Sequence, residues 1–314
     1  MSQALAQDTL PALPSTTQRA APSRVVVDMV VGGFHSLALM SDGHVVAWGD
    51  NRSGQSDVPA TLNSAVAIAA GELHSLALTR EGRVLAWGDN RSGQVDVPES
   101  LANVTAIAAG GYISVALTAS GEVVVWGNHR SGQDQVPEGL ADVVAVQTGG
   151  FHIVALQDNG EVVAWGDRST DERAARVSIP EAAQNDVHSI AVGQWHNLAL
   201  KRDGTVVAWG SNRYGRLETP IDELDNVANV DANLFVSVAR LANGQLVIWG
   251  NDRYGLDIIP EELQNVRVFA LGDWHGFAIL NNGDLYAWGL NDAGQLEVPA
   301  IVADEVNVVA YGAE

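Results

Sequence analysis

The dipeptide Trp-Gly occurs seven times in this chain, at Trp48-Gly49, Trp87-Gly88, Trp126-Gly127, Trp165-Gly166, Trp209-Gly210, Trp249-Gly250 and Trp288-Gly289. Successive copies lie 39, 39, 39, 44, 40 and 39 residues apart. A rare, bulky residue returning at so constant an interval marks one supersecondary unit used repeatedly, and a period of about 40 residues belongs to solenoids and propellers. It also removes the two-domain inference that 314 residues would otherwise invite, because a repeat array spreads its core along the chain.

Each unit reads as four short strands. In the second, these are 66–70, 75–78, 83–87 and a segment around 95–97. The second and third strands are separated by Glu81-Gly82, whose equivalents are Asp42-Gly43, Ser120-Gly121, Asn159-Gly160, Asp203-Gly204, Asn243-Gly244 and Asn282-Gly283. Such pairs suit two-residue hairpin turns, which require positive φ. Runs such as Val45-Val46-Ala47-Trp48 are apolar throughout, as expected of strands covered on both faces. The reading is therefore all-β: a seven-bladed β-propeller of four-stranded antiparallel blades over residues 25–314.

Three further positions repeat. Gly closes the first strand at Gly32, Gly71, Gly110, Gly149, Gly193 and Gly272, with Asn233 in the sixth unit. Gly replaced once by Asn predicts a left-handed backbone there. Ala recurs at Ala38, Ala77, Ala116, Ala155, Ala199, Ala239 and Ala278, predicting close approach where blades converge on the channel. The fourth segment carries Pro59, Pro98, Pro137, Pro180, Pro220, Pro260 and Pro299. Proline lacks a ladder donor, so this segment is expected at the blade's outer edge. The first-strand pattern appears an eighth time at 306–312. A seven-blade ring has room for seven copies, so one terminal copy must be displaced or add an edge strand.

The run Gly-x-x-His-Ser-Leu-Ala-Leu-x-x-Asp-Gly, followed by Val-x-Ala-Trp-Gly-x-Asn-x-x-Gly-Gln, is intact at Gly32 to Gln55 and, with Glu81 for Asp, at Gly71 to Gln94. It resembles the repeat of the regulator of chromosome condensation family, over residues 25–312. The Val-Pro after it, as at Val58-Pro59 and Val298-Pro299, is closer to bacterial secreted propellers of the β-lactamase-inhibitor type. The resemblance implies protein binding across one face of the ring, without naming the partner.

The 38 acidic against 17 basic side chains give a net charge of -21. That field repels phosphate backbones and anionic lipid, so neither nucleic acid nor a membrane surface is the expected partner. No apolar run approaches the roughly 18 residues of a membrane-spanning helix. Cysteine is absent, which removes disulfides and thiolate metal sites. Residues 1–24 have no strand or helix period and read as a disordered tail. Within it, Ala4-Leu5-Ala6 before Gln7 resembles the small-x-small end of a secretory signal, pointing to an extracellular or cell-envelope location.

Strand alternation puts the loop after the first strand and the loop after Trp-Gly on one face. The first loop holds Phe34, Leu73, Tyr112, Phe151, Trp195, Phe235 and Trp274; the second carries Arg52, Arg91, Arg130, Arg213 and Arg253, with Arg168 one place earlier in its unit. Aromatic and guanidinium groups are the residues that anchor protein interfaces. Burial of the aromatics, and local pairing of the Arg side chains with Asp50, Asp89, Asp167 or Asp252, are the structural alternatives. Trp195 and Trp274 are the expected main anchors, supported by Tyr112, Phe151, Arg213 and Arg253. The next position carries His35, His74, His152, His196 and His275, with Ile113 and Val236 in the other two units. Blade spacing keeps equivalent residues apart, so these histidines are expected to be structural rather than metal ligands. No Ser-His-Asp order, phosphate loop or carboxylate pair stands out, so no catalytic residue, metal or cofactor is expected. The fourth unit is irregular over 167–176 and loses its Gly-Gln; departures from a repeat are where specific function concentrates. A protein-binding module is the first expectation, and a carbohydrate-binding surface or a β-lactamase-inhibitor-like role are the alternatives.

Overall fold

The computed structural model describes residues 24–167, 172–250, 255–256, 263–303 and 306–312. The tail expected over 1–24 therefore lies, apart from Arg24, outside the described residues. So do Arg168, Asp252, Arg253 and Pro260.

Seven separate sheets follow one another along the chain, one for each Trp-Gly, each built on three antiparallel strands. In blade 1 the inner strand is Val26–Val31, the middle strand His35–Met40 and the outer strand Val45–Gly49. The middle strand is buried at all six positions, and the middle strand of blade 2 matches it. A strand whose two faces both meet a neighbouring blade has no solvent side, which explains its unbroken apolar run. Every inner strand carries the same register shift at its second residue, from Val26/Asp28 in blade 1 to Val266/Val268 in blade 7. This bulge turns one residue outward, which accounts for the exposure of Val27, Val66 and Val144.

The blades have three strands, not the four read from the sequence. The segment holding Pro59 fails to pair because its amides are spent locally. Asp57 N donates to Gly54 O, Val58 N to Ser56 O, and Leu62 N to Pro59 O, the last at 2.9 Å. The same proline-capped turn recurs at Pro98, Pro137, Pro180 and Pro299. Blade 7 is the exception: the eighth copy of the pattern, Asn307–Gly312, adds a fourth strand parallel to Asp284–Gly289, while the first copy keeps the inner position of blade 1. The Asp-Gly turns are also longer than expected. Gly43 N donates to Met40 O and Met40 N to His44 O, leaving a three-residue loop in which only Gly43 has positive φ. That is a type I turn closed by a left-handed glycine.

Two further expectations are corrected. None of the strand-closing glycines, nor Asn233, has positive φ. They are glycine because adjacent blades touch there: a Cβ on Gly149 would fall against the carbonyl oxygen of Gly193, far inside van der Waals contact. The repeated Ala residues lie in the middle strands, one strand away from the channel. Ala38 and Ala77 are fully buried between blades, Ala77 in the cluster with Leu37 and Leu39 of the preceding blade.

The seven blades are tied together by one repeated bond. Each Trp indole N–H donates to a backbone carbonyl in the loop of the preceding blade: Trp87 to Gln55, Trp126 to Gln94, Trp165 to Gln133, Trp209 to Arg176, Trp249 to Arg216 and Trp288 to Leu256. Trp48 closes the ring by donating to Gln295 at 2.9 Å. Helical structure among the described residues is confined to the short segments Glu172–Arg176, Glu181–Ala183 and Ala300–Ala303. None of these is long and apolar enough to cross a membrane.

Candidate interaction face

The two loop series share a face because a backbone bond joins them in six blades, the donor position of blade 6 lying outside the described residues. Asp50 N donates to Phe34 O, Asp89 N to Leu73 O, Asn128 N to Tyr112 O, Asp167 N to Phe151 O, Ser211 N to Trp195 O and Leu290 N to Trp274 O. The aromatics are not equally accessible. Phe151 is 39% exposed and Phe235 only 9%; Phe34, Tyr112, Trp195 and Trp274 are half-buried. Phe235 is thus a packing residue rather than an open anchor.

The rings form two clusters instead of an even circle. In one, Phe151 and Trp195 lie 5.4 Å apart. In the other, Phe34 stacks on Trp274 at 5.8 Å, and Phe235 packs edgewise against Trp274 and Tyr214. Each cluster is underpinned by a buried guanidinium. Arg176 lies 4.6 Å from the centre of Trp195 and 5.2 Å from that of Phe151, and it pairs with Asp167 at 2.7 Å. Its Nη1 also donates to Gln194 O. Arg216 lies 5.1 Å from Tyr214 and donates to Leu234 O at 2.5 Å. Burial pulls its guanidinium down to about 10.

Tyr214, Arg176 and Arg216 were not singled out from the sequence, yet a signal exists. Seven residues after Trp, blades 1, 2, 3 and 7 carry Gln55, Gln94, Gln133 and Gln295, while blade 5 carries Arg216. In blade 4 the insertion delivers Arg176 to the same place, at the end of the short Glu172–Arg176 helix. Of the expected Arg series, Arg52 and Arg91 turn back onto the buried carboxylates of Asp50 and Asp89, at 2.8 and 2.7 Å. Arg130 has Asn128 in place of that aspartate and is exposed. Arg213 is exposed beside Tyr214, 5.5 Å from its ring centre.

The histidines link blades. His35 Nε2 bonds Ser75 Oγ, His74 bonds Ser114, His152 bonds Asn197, His196 bonds Ser237 and His275 bonds Ser36, at 2.6–3.0 Å. Ser75, Ser114 and Ser237 spend their hydroxyl protons on the carbonyls of Gln55, Gln94 and Arg216. In those pairs the imidazole must therefore donate, which places its proton on Nε2. Burial lowers His35, His196 and His275 to about 3, and His74 and His152 to about 4, with Asp89 opposing the shift at His74 and the bond to Asn197 opposing it at His152. In blade 3, where the histidine is Ile113, the partner position in blade 4 is Ile153. Both of those residues sit in one apolar cluster.

At the centre of this face stands the residue that follows each strand-closing glycine, or Asn233 in blade 6. It is Gly33, Glu72, Gly111, Gly150, Gln194, Leu234 and Asp273 in blades 1 to 7. Asp273 accepts from Gln194 Nε2 and from Leu234 N, both at 2.9 Å. Burial, and then the charge of Glu72, pushes its carboxyl up to about 7; burial raises Glu72 as well.

The family model of the RCC1-like domain matches residues 6–309. Solved structures share the fold. A chain of the Kap60 complex with yeast RCC1 (Prp20) superposes with a TM-score of 0.63 at 21% identity, over 93% of this chain and 85% of that one. The receptor kinase CR4 ectodomain of Physcomitrella patens gives 0.67 at 20% identity, over 85% and 73%. The CRINKLY WD40 ectodomain of the Arabidopsis thaliana receptor kinase ACR4 gives 0.68 at 18% identity, over 86% and 98%. At these identities the likeness concerns the fold, and the family rests on the match along the chain itself. The chain belongs to the RCC1-like domain family.

Proposed function

We propose that this propeller is a binding module that holds a protein partner on the face bearing Phe34, Tyr112, Phe151, Trp195 and Trp274, with Arg130 and Arg213 at its edge. The observation that carries this reading is the Arg176 platform: an irregular blade spends a buried guanidinium to hold Phe151 and Trp195 at the surface. Aromatic groups held rigid before contact lose little entropy on binding, and hot spots concentrate in such residues. RCC1-like propellers commonly mediate protein binding, which supports the same class. A relative, yeast RCC1 (Prp20), forms a complex with Kap60. The charge of -21 favours a cationic partner surface over nucleic acid. An extracellular or envelope location is supported by Ala4-Leu5-Ala6.

The test is capture from extracellular and cytoplasmic fractions of the source organism, with β-lactamase and a glycan array included. The full chain is compared with Trp195→Ala and with Asn159→Ala on the opposite face. A protein retained by the full chain and Asn159→Ala, and weakened for Trp195→Ala by about 2 kcal/mol, supports the reading. Equal retention by both variants, or binding to glycans alone, overturns it.

A further inference from the structure

The face is not flat at its centre. A cavity of about 420 Å³ opens there, walled by Tyr112, Phe151 and Trp274 and reaching Glu72, Gln194 and Asp273. The hollow exists because blades 3 and 4 present Gly111 and Gly150 where blades 2, 5, 6 and 7 present Glu72, Gln194, Leu234 and Asp273. Glu72, Gln194 and Asp273 also line the opening of the central channel, so they stand where channel and hollow meet. Two carboxyls are therefore drawn together in a partly dry site. Among the described residues, neither meets a basic group within 4 Å. Arg130 belongs to the lining but is exposed, in the loop after the Trp126 strand.

A cation satisfies what this arrangement lacks. Carboxyls held partly desolvated and close together raise each other's proton affinity, and a positive group between them relieves both burdens. Aromatic walls add attraction for a cation through the ring quadrupole. The described residues gather no set of three ligating groups for a metal ion, and the aromatic walls suit an organic cation. We propose that the hollow is a socket for a basic side chain of the protein partner, a Lys ammonium or Arg guanidinium, entering the channel mouth between Glu72 and Asp273 and beside Trp274. The proposal rests on the partner-binding reading above, whose face it shares, and adds the chemistry that the partner brings.

The probe is Nα-acetyl-arginine amide, titrated into the full chain by calorimetry and followed by tryptophan fluorescence. Nα-acetyl-citrulline amide serves as the neutral isostere. Binding of the arginine probe, absent for citrulline and weakened roughly tenfold or more by Glu72→Gln and by Asp273→Asn, is the expected result. Melting temperature controls for Asp273→Asn, which touches Gln194 and Leu234. Glu72→Gln, whose side chain has no such bond, decides the matter if Asp273→Asn fails to fold. No binding of the arginine probe, equal binding of citrulline, or unchanged affinity in Glu72→Gln overturns the proposal. If a captured partner is lost with Trp195→Ala yet retained in full by Glu72→Gln, the socket falls while the face stands.

Discussion

His35 of blade 1 donates to Ser75 of blade 2 at 2.9 Å, and Ser75 passes its own proton to the carbonyl of Gln55. The bond crosses a blade boundary with both groups fully buried, so removing the serine strands the imidazole N–H, and removing the histidine opens a cavity beside the serine. For the same link in the next blade, His74→Ala is expected to cost about 2 kcal/mol or more in urea unfolding. Ser114→Ala should cost a similar amount, and the double variant less than the sum. Additive losses in that cycle would show that the two groups do not act as a pair. Zinc or nickel should leave the melting temperature unchanged.

The pair missing at Ile113 and Ile153 gives the converse test. Either Ile113→His or Ile153→Ser alone buries an unpartnered polar group and should destabilise the ring by about 1–3 kcal/mol. Together they rebuild the link of the other blades, so the double variant should be more stable than the worse single one, as read by thermal unfolding.

The same histidines set the acid limit. In the folded ring they stay neutral down to about pH 3 or 4, whereas in the unfolded chain they take up protons near pH 6.5. The unfolded state therefore binds more protons across that window, and stability falls as pH drops through it, by about 1.4 kcal/mol per pH unit for each fully titrating group. Asp231 and Asp273 act with the opposite sign. Burial raises them to about 6 and about 7, so the folded state holds their protons and gains stability as pH falls from 7. Asp28 and Glu72 also move upward through burial. The five imidazoles outweigh these carboxyls, so the urea midpoint should decline between pH 6.5 and 4.5. His74→Gln should flatten that slope.

Arg176 offers a separation of structure from contact. Arg176→Ala removes the guanidinium that pairs with the buried carboxylate of Asp167 and packs on Phe151 and Trp195, and should cost about 3–5 kcal/mol. Arg176→Gln restores the residue found in blades 1, 2, 3 and 7 and should cost less. If Arg176 holds the aromatic pair in place, the Gln variant should fold yet show a changed Trp195 fluorescence. An unchanged emission maximum would remove its positioning role.

Seven blades, the shared loop face and the inter-blade histidines were legible because each rests on a position repeated in every unit. Three other features were not. The Pro59 segment looks like a strand, since its counterpart Val95-Asp96-Val97 alternates apolar and polar residues, but local amide bonds to Gly54, Ser56 and Pro59 consume its donors. The strand-closing glycines look left-handed, yet what they answer is a carbonyl from the adjacent blade, a contact between residues some 40 positions apart. Arg176 and Arg216 were hidden because their meaning is relative: each matters only as an arginine where other blades have glutamine.

The bond from Trp48 to Gln295 has the same donor, acceptor and length as the internal bond from Trp87 to Gln55. In this bond the boundary between blade 7 and blade 1 matches an internal one, although blade 7 alone carries the parallel strand Asn307–Gly312. A circular permutant, opened at the Asn159-Gly160 turn and joined from residue 312 to residue 24 by a flexible linker, should close through the same seven indole bonds. What the gene writes as a line, the fold reads as a cycle, and the order of blades in translation is interchangeable up to rotation.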